Sequence, residues 1–387
     1  MNEDKPSQPL GLTFSASGSE YFRIWVVNLL LIVVTLGFYM PFAKVRRLQY
    51  FYANTLIDGQ ALSFHGNPWR MLRGYVLMLV LFGGYAVSGH FSPWAALVFF
   101  LFLALLWPAL WRSSLRFRLH NTSWRGLRFG FAGTVADAYR AMLPLFVPGV
   151  LFVAANAWYL GGVDPSDKDA VNNAMQAQLP IIGLGFVLLA VLFPYGLSLI
   201  KRYQHQSYRY ADQASQFGVA TDAFFKLGFK AAGLAILGMV ALGFLAAVAI
   251  PALAILSRGG GMFGAFVVGL MLAAVYVALI SVLGAYFTAR LQNLCWNATR
   301  SHNVAFGSQL KAKSLSWLTM KNFCLTVVTL GLYRPFAVVN TMAMRLAAVQ
   351  VLVDSDISTW RAGDAQRTDA TSGEMAGDFF GIDMGLG

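Results

Sequence analysis

VVTLGFYMPFAKV occupies residues 33–45, and VVTLGLYRPFAVV occupies residues 327–339, 294 positions later. Ten of the thirteen residues agree. Each copy lies in an apolar block, 22–43 for the first and 315–338 for the second, and in each a proline (Pro41, Pro335) follows closely on a glycine (Gly37, Gly331). Proline cannot donate an interior helix hydrogen bond, so a break at T-L-G-x-Y-x-P is chemically natural. How these two blocks sit decides the fold.

The rest of the chain sets the medium. Hydrophobic residues make up 57% and charged residues 12%, with a mean hydropathy of +0.58; a soluble domain keeps about a quarter of its residues charged. Further apolar blocks lie near 71–89, 93–111, 141–161, 179–200, 231–256 and 263–288, each near the ~20 residues that cross a bilayer. The reading is an all-α polytopic membrane protein with six full transmembrane helices plus two repeated end elements, 22–56 and 315–353. The first 18 residues lack the apolar core and cleavage site of a secretory signal, so the first block is expected to remain in the mature chain. Cys295 and Cys324 suit neither a disulfide framework nor a thiolate metal cage.

The net charge of +12 is unevenly spread: residues 354–387 carry −5, leaving +17 for residues 1–353. Residues 1–353 read as a single integral membrane domain, and the acidic, Gly-rich remainder as a disordered tail. Four inter-block segments are basic, namely 44–73, 112–140, 201–230 and 290–313, whereas GHFSP (89–93), VDPSDKDA (163–170) and SRGGG (257–261) are not. Lys and Arg in short loops mark the cytoplasmic side, so the charge is a topology signal and nucleic acid is not an expected partner. Six full spans, paired as three hairpins, satisfy it.

Those basic segments share a pattern. NTLIDGQALSFHG (54–66) and NTSWRGLRFGFAG (121–133) both fit N-T-x-x-x-G-x-x-x-x-F-x-G. SYRYADQASQFG (207–218) has Asp212 at the glycine position, NATRSHNVAFG (297–307) is one residue shorter, and LTFSASG (12–18) is a partial fifth echo. Alternation around a glycine predicts short cytoplasmic β-hairpins, with Asn and Gly at the left-handed turn positions. Several such hairpins would pool into one small sheet beneath the spans, capping and spacing the helices or binding a partner.

Two arrangements of the end elements are open. As full spans, giving eight in all, the two copies would run in opposite directions and present the same residues to opposite leaflets. As re-entrant hairpins they would sit the same way up, with both termini in the cytoplasm, and irregular backbone at membrane depth would need cover from protein or a wet cavity. The re-entrant reading is favoured, although it obliges the juxtamembrane bases Lys44, Arg46 and Arg47 to lie shallow or to snorkel to the interface.

Phe14 and Gly18, the run VNLLLIVVTLGFYMPFAKVRRLQYFYANTLIDG (27–59) and FHG (64–66) resemble the signature of the YjgN-like family, bacterial inner-membrane proteins grouped as a domain of unknown function. The resemblance extends to about residue 353 and leaves out the tail. It implies a multi-pass protein of a bacterial cytoplasmic membrane and supplies no reaction, substrate or functional residue. The second copy departs from it: residues 341–345 lack the Arg46–Arg47 pair, and no N-T-x-x-x-G follows.

Motifs for nucleotide binding, G-x-S-x-G and H-E-x-x-H are absent. The histidines (His65, His90, His120, His205, His302) have no ligand-spaced partner, so no metal and no cofactor is expected. Asp137 and Asp222 fall at span ends, which argues against a carboxylate proton relay. The polar residues within apolar blocks are Asn28, Asn156, Lys321 and Asn322. Asn28 and Asn322 occupy matching positions, either lining a site between the end elements or making interhelical hydrogen bonds. With Tyr39 and Tyr333, whose hydroxyls would sit at a polar boundary, Asn28, Lys321 and Asn322 form the candidate set for lining a cavity or ligand. The function expected is transport, conduction or lipid handling, with a small solute or lipid as ligand beside the bilayer itself. The alternative is a scaffold that binds a partner through its cytoplasmic hairpins. A membrane enzyme is the least expected class, since no paired catalytic groups appear.

Overall fold

The computed structural model describes residues 8–256 and 261–354. The acidic segment from residue 355 onward, and most of the SRGGG connection, lie outside the described residues. Among the described residues, six helices are long and apolar enough to cross a membrane: α3 (Pro68–Phe91), α4 (Pro93–His120), α5 (Val135–Leu160), α7 (Leu179–Gln206), α8 (Thr221–Leu256) and α9 (Gly261–Trp296). A short helix α6 (Lys168–Ala177) stands in the acidic connection before α7, where the Asp167 carboxylate accepts the Ala170 N–H at 3.0 Å.

The end elements are helical hairpins that enter and return on one side. α1 (Gly18–Val34) and α2 (Met40–Ala53) form the first, and α10 (Ala312–Val328) and α11 (Arg334–Ala347) the second. Their turns are alike. The Thr35 and Thr329 hydroxyls donate back to the carbonyls of Leu31 and Leu325 and accept the N–H groups of Tyr39 and Tyr333 at 2.9 Å. Two consecutive left-handed residues then reverse the chain, Leu36 and Gly37 in one copy (φ 48° and 92°), Leu330 and Gly331 in the other (φ 51° and 93°). The arrangement of eight full spans is thereby excluded.

Among the described residues, thirteen strand segments connect these helices at one end of the molecule. They are β1 (Gln8–Leu10), β2 (Leu12–Phe14), β3 (Thr55–Ile57), β4 (Gln60–Ala61), β5 (Ser63–Phe64), β6 (Thr122–Trp124), β7 (Leu127–Phe131), β8 (Tyr208–Tyr210), β9 (Gln213–Ala214), β10 (Gln216–Phe217), β11 (Thr299–Arg300), β12 (Val304–Ser308) and β13 (Val349–Val353). Three bent strands run on through a single residue, at Gly11, Leu62 and Ser215, and each pairs with a different neighbour on either side of its bend. Followed through these bends, the antiparallel pairing returns to its start: β13, β1/β2, β3, β4/β5, β6, β7, β8, β9/β10, β11, β12 and β13 again. The expected sheet is therefore a closed ring. Closure satisfies every edge and removes the template for unwanted strand pairing.

Five hairpins make this ring, and the fifth explains the partial echo at 12–18. Its two sides are β13 and β1/β2, from opposite ends of the chain, paired Gln8 to Val353 and Leu10 to Val351. Each hairpin is tied to the next by an equivalent bond from the residue after its outgoing strand to a carbonyl at the following helix end. The bonds run Ser15 to Asn54, His65 to Asn121, Ala132 to Ser207, Gly218 to Ala298 and Gln309 to Ala348, at 2.8–3.1 Å.

The N-T motif ends helices rather than turning strands. Asn54 and Asn121 have ordinary negative φ (−96° and −87°), and their amides donate to the Tyr50 and Phe117 carbonyls. Thr55, Thr122 and Thr299 bond back four residues in the same way. The left-handed turn positions belong instead to Asp58–Gly59 and Arg125–Gly126, the type I′ geometry that matches strand twist. In F-x-G the glycine makes room: a Cβ on Gly133 would stand 2.6 Å from the Phe131 ring and 2.7 Å from Tyr203.

The helices form a ring as well. Each packs chiefly on two neighbours, in the order α1, α2, α3, α4, α5, α7, α8, α9, α10, α11 and back to α1. The two short hairpins therefore stand side by side, between α9 and α3. The basic segments are less loop-like than expected, because α4 and α7 continue to His120 and Gln206 and carry Arg112–Arg118 and Lys201–Arg202 on their last turns.

Candidate functional site

A helix in a packed bundle hides one broad face, but these helices expose two. On α7, Leu184, Val191 and Tyr195 lie on one side and Phe186, Leu189 and Phe193 on the opposite side, at about 100° of rotation per residue, and all six are exposed. The flanks between them are occupied: Gly196 lies under Leu145 of α5, and Pro194 meets Gly228 of α8. On α9, Met271, Val275 and Val282 oppose Phe266, Leu270 and Ile280 in the same manner. No residue in the most apolar window of α8 is buried. On α7 and α9, whose flanks are taken by their ring neighbours, one exposed face lies outside the ring and the other inside it, and both are apolar.

At the strand end of the ring the second helices of the pairs come within electrostatic reach of one another. Lys201 on α7 lies within electrostatic reach of Arg118 on α4 and Arg345 on α11, although neither helix adjoins α7 in the ring. Tyr208, just below, is in the same relation to Arg118, Cys295 of α9 and Tyr52 of α2, and burial pushes its phenol up to about 12. The Arg345 guanidinium also donates to Gln292 Oε1 at 2.8 Å, while the Gln292 amide donates to the Arg345 carbonyl at 3.0 Å. The arrangement is a cationic cluster where the inner helix ends meet the strand ring. His205 flanks it, buried, with Nδ1 2.8 Å from the Thr299 hydroxyl and its ring among Tyr208, Phe217 and Trp296.

The residues singled out from the sequence do not assemble into one site. Asn28 and Asn322 are both buried, at 6% and 5% exposure, but α1 and α10 do not adjoin. Asn322 spends its amide inside its own hairpin, donating to the Ala337 carbonyl at 3.2 Å and to Thr341 Oγ1 at 3.3 Å. The side-chain oxygens of both asparagines lack a hydrogen-bond partner. A buried amide that satisfies only half of its capacity contributes little, and interhelical hydrogen bonds in membranes average roughly 0.6 kcal/mol. The Asn28→Leu, Asn322→Leu double variant is therefore expected to fold, with a stability change under about 1 kcal/mol; loss of the protein from membranes would contradict this.

Tyr39 and Tyr333 stack on Phe42 and Phe336 of their own hairpins, and Tyr333 Oη accepts the Asn340 amide at 3.3 Å. Lys321, Arg46 and Arg47 are exposed and Lys44 is half-buried, with Arg46 also lying 5.7 Å over the Tyr39 ring. Among the evenly spaced glycines of α8, close packing holds at Gly238, where a Cβ would strike Leu279, and not at Gly233 or Gly243. Sequence reasoning missed Arg118, Lys201, Arg345 and Gln292. The available signal was their placement on the last turns before four different hairpins.

Residues 9–379 match the family described as bacterial protein of unknown function (DUF898). The chain belongs to this family. The match runs past residue 353, so the tail is partly included where the resemblance had stopped short. The chain is 25% identical over 365 residues to the inner membrane protein YjgN of Salmonella typhimurium (strain LT2), covering 89% of each. It is 43% identical over 65 residues, 16% of each chain, to the inner membrane protein YjgN of Escherichia coli (strain K12). No solved structure matches. The six apolar helices and these relatives fit a multi-pass bacterial inner-membrane protein.

Proposed function

We propose that this DUF898 member handles lipid, holding or passing an amphipath with an anionic head group. Five repeated units, each a helix pair and a hairpin, would form a chamber whose wall suits acyl chains and whose strand end suits a phosphate. The single observation that supports the reading most is the change of chemistry along the axis: the inward faces of α7 and α9 are apolar, and the side chains that converge at their strand end are cationic. A hydrated ion would gain nothing from such a wall, whereas hydrocarbon would lose no hydrogen bond there. This reading assigns no catalytic residue.

In this reading the strand ring and both termini are cytoplasmic, because the basic residues gather at that end. A dual reporter fused after Gly387 should report the cytoplasm. The test of lipid handling is lipid extraction from the purified, full-length protein, compared with the composition of the membrane it came from. Anionic phospholipid should be enriched, and the Arg118→Gln, Lys201→Gln, Arg345→Gln variant should lose most of that enrichment while eluting as a folded species. Bound lipid that mirrors the bulk membrane in both proteins would overturn the proposal. A scaffold role is less well supported, since a closed strand ring offers no edge for a partner strand.

A further inference from the structure

We infer that the two T-L-G-x-Y turns form the sill of a lateral portal, through which phospholipid acyl chains pass between the bilayer and the helix ring. The inference rests on the lipid-handling reading and adds a route to it.

Helix length places the sill. At 1.5 Å per residue, the 17 residues of α1 and of α10 rise about 25 Å from the strand ring, and the 14 of α2 and of α11 about 21 Å. The bordering helices go further: the 24 residues of α3 rise about 36 Å and the 36 of α9 about 54 Å. A hydrocarbon core is about 30 Å thick. Four adjacent helices of the wall thus stop within the membrane, while their neighbours on both sides continue. The wall is notched there, on the side away from the strands.

The chemistry of the turns identifies what meets the notch. Leu36 and Leu330 are 89% and 93% exposed, so core packing does not explain them. Both adopt left-handed backbone, which is unfavourable for an L-residue with a Cβ and which Asn or Gly would adopt more easily. In water, an exposed leucine in a strained turn has nothing to recommend it. In hydrocarbon an apolar side chain is required at this point, and a polar one would be expensive. Val34, Phe38, Val328 and Leu332 beside them are exposed and apolar as well. The repeated phrase is thereby explained: two neighbouring hairpins end at one depth with the same apolar lip. On the pair bordering the portal, the crook of α3 and α4 holds an apolar groove lined by Gly84, Val87, Phe91, Trp94 and Val98.

The test uses the full-length protein in native membranes, with the photoreactive residue p-benzoyl-phenylalanine at position 36 or 330. Val240 on α8 serves as a lipid-facing control and Asp58 at a hairpin tip as a control in water. Adducts to phospholipid acyl chains, identified by mass spectrometry at 36 and 330 as at 240, are expected. Their absence at 36 and 330 would overturn the inference. Passage is tested separately with Leu36→Arg, Leu330→Arg, whose side chains face no protein neighbour that would forbid them. The enrichment of anionic lipid on the purified variant should fall about tenfold; unchanged enrichment would overturn the portal while leaving lipid handling intact. Conversely, acyl-chain adducts at the sill of a wild-type protein that enriches no lipid would remove the functional reading and, with it, the portal's role.

Discussion

Trp124→Ala is expected to be among the most damaging single changes in the chain, costing about 3–5 kcal/mol, the range for a large buried aromatic truncated to alanine. Trp124 is 4% exposed and holds three hairpins of the ring together. Its indole N–H reaches back to the first of them, 3.3 Å from both the Ile57 and Gln60 carbonyls. Its own carbonyl accepts the Tyr210 hydroxyl of the third at 2.8 Å, and its ring packs on Tyr210 with centroids 5.6 Å apart. Truncation opens a cavity and strips cover from backbone carbonyls at once. The check is the melting midpoint of the purified protein in detergent. A fall no larger than that of Asp58→Ala, which breaks only the exposed Arg125–Asp58 ion pair (2.7 Å) worth about 0–1 kcal/mol, would mean that the ring is not held as described.

Val351→Pro should be comparably severe, at about 3 kcal/mol or more. β13 is paired on both sides, and its residues alternate: Asp354 donates to the Asn303 carbonyl beside β12, so the even positions bond that strand, while Val351, opposite Leu10, bonds β1. A proline removes a ladder hydrogen bond and is tolerated only on edge strands or at bulges. The prediction therefore tests closure itself. If the ends of the chain did not meet, β13 would be an edge and the substitution would be mild. If the ring is closed, folded protein should be lost or should aggregate through the freed edges, which size-exclusion chromatography of the solubilised membrane would register.

Much of this architecture is legible without coordinates. Six spans follow from length and hydropathy, because in hydrocarbon every backbone polar group must be satisfied within its own helix, and no other local solution exists. The hairpins follow from spacing, and Gly59 and Gly126 from the need for left-handed backbone in a two-residue turn. The role of the asparagines was less legible. Asn54 suits a turn and a helix end equally well by residue type, and only its hydrogen bond to Tyr50 distinguishes them. The candidate site suffered for a related reason: Asn28 on α1 and Asn322 on α10 match in sequence but have α11 standing between their helices.

The sequence by itself determined that the chain lives in a membrane, that six of its helices suit a full crossing, and that two similar elements stand near its ends. Those are local properties, set by side-chain solvation and by the conformational limits of Gly and Pro. Only the tertiary structure decided that the two elements are neighbours facing the same way, that the partial motif at 12–18 completes a hairpin with β13, and that Arg118, Lys201 and Arg345 meet in one cluster. Each depends on pairing between residues far apart in the chain, 345 positions for Gln8 and Val353. Such pairing is fixed by closing a ring of strands with no edge left over.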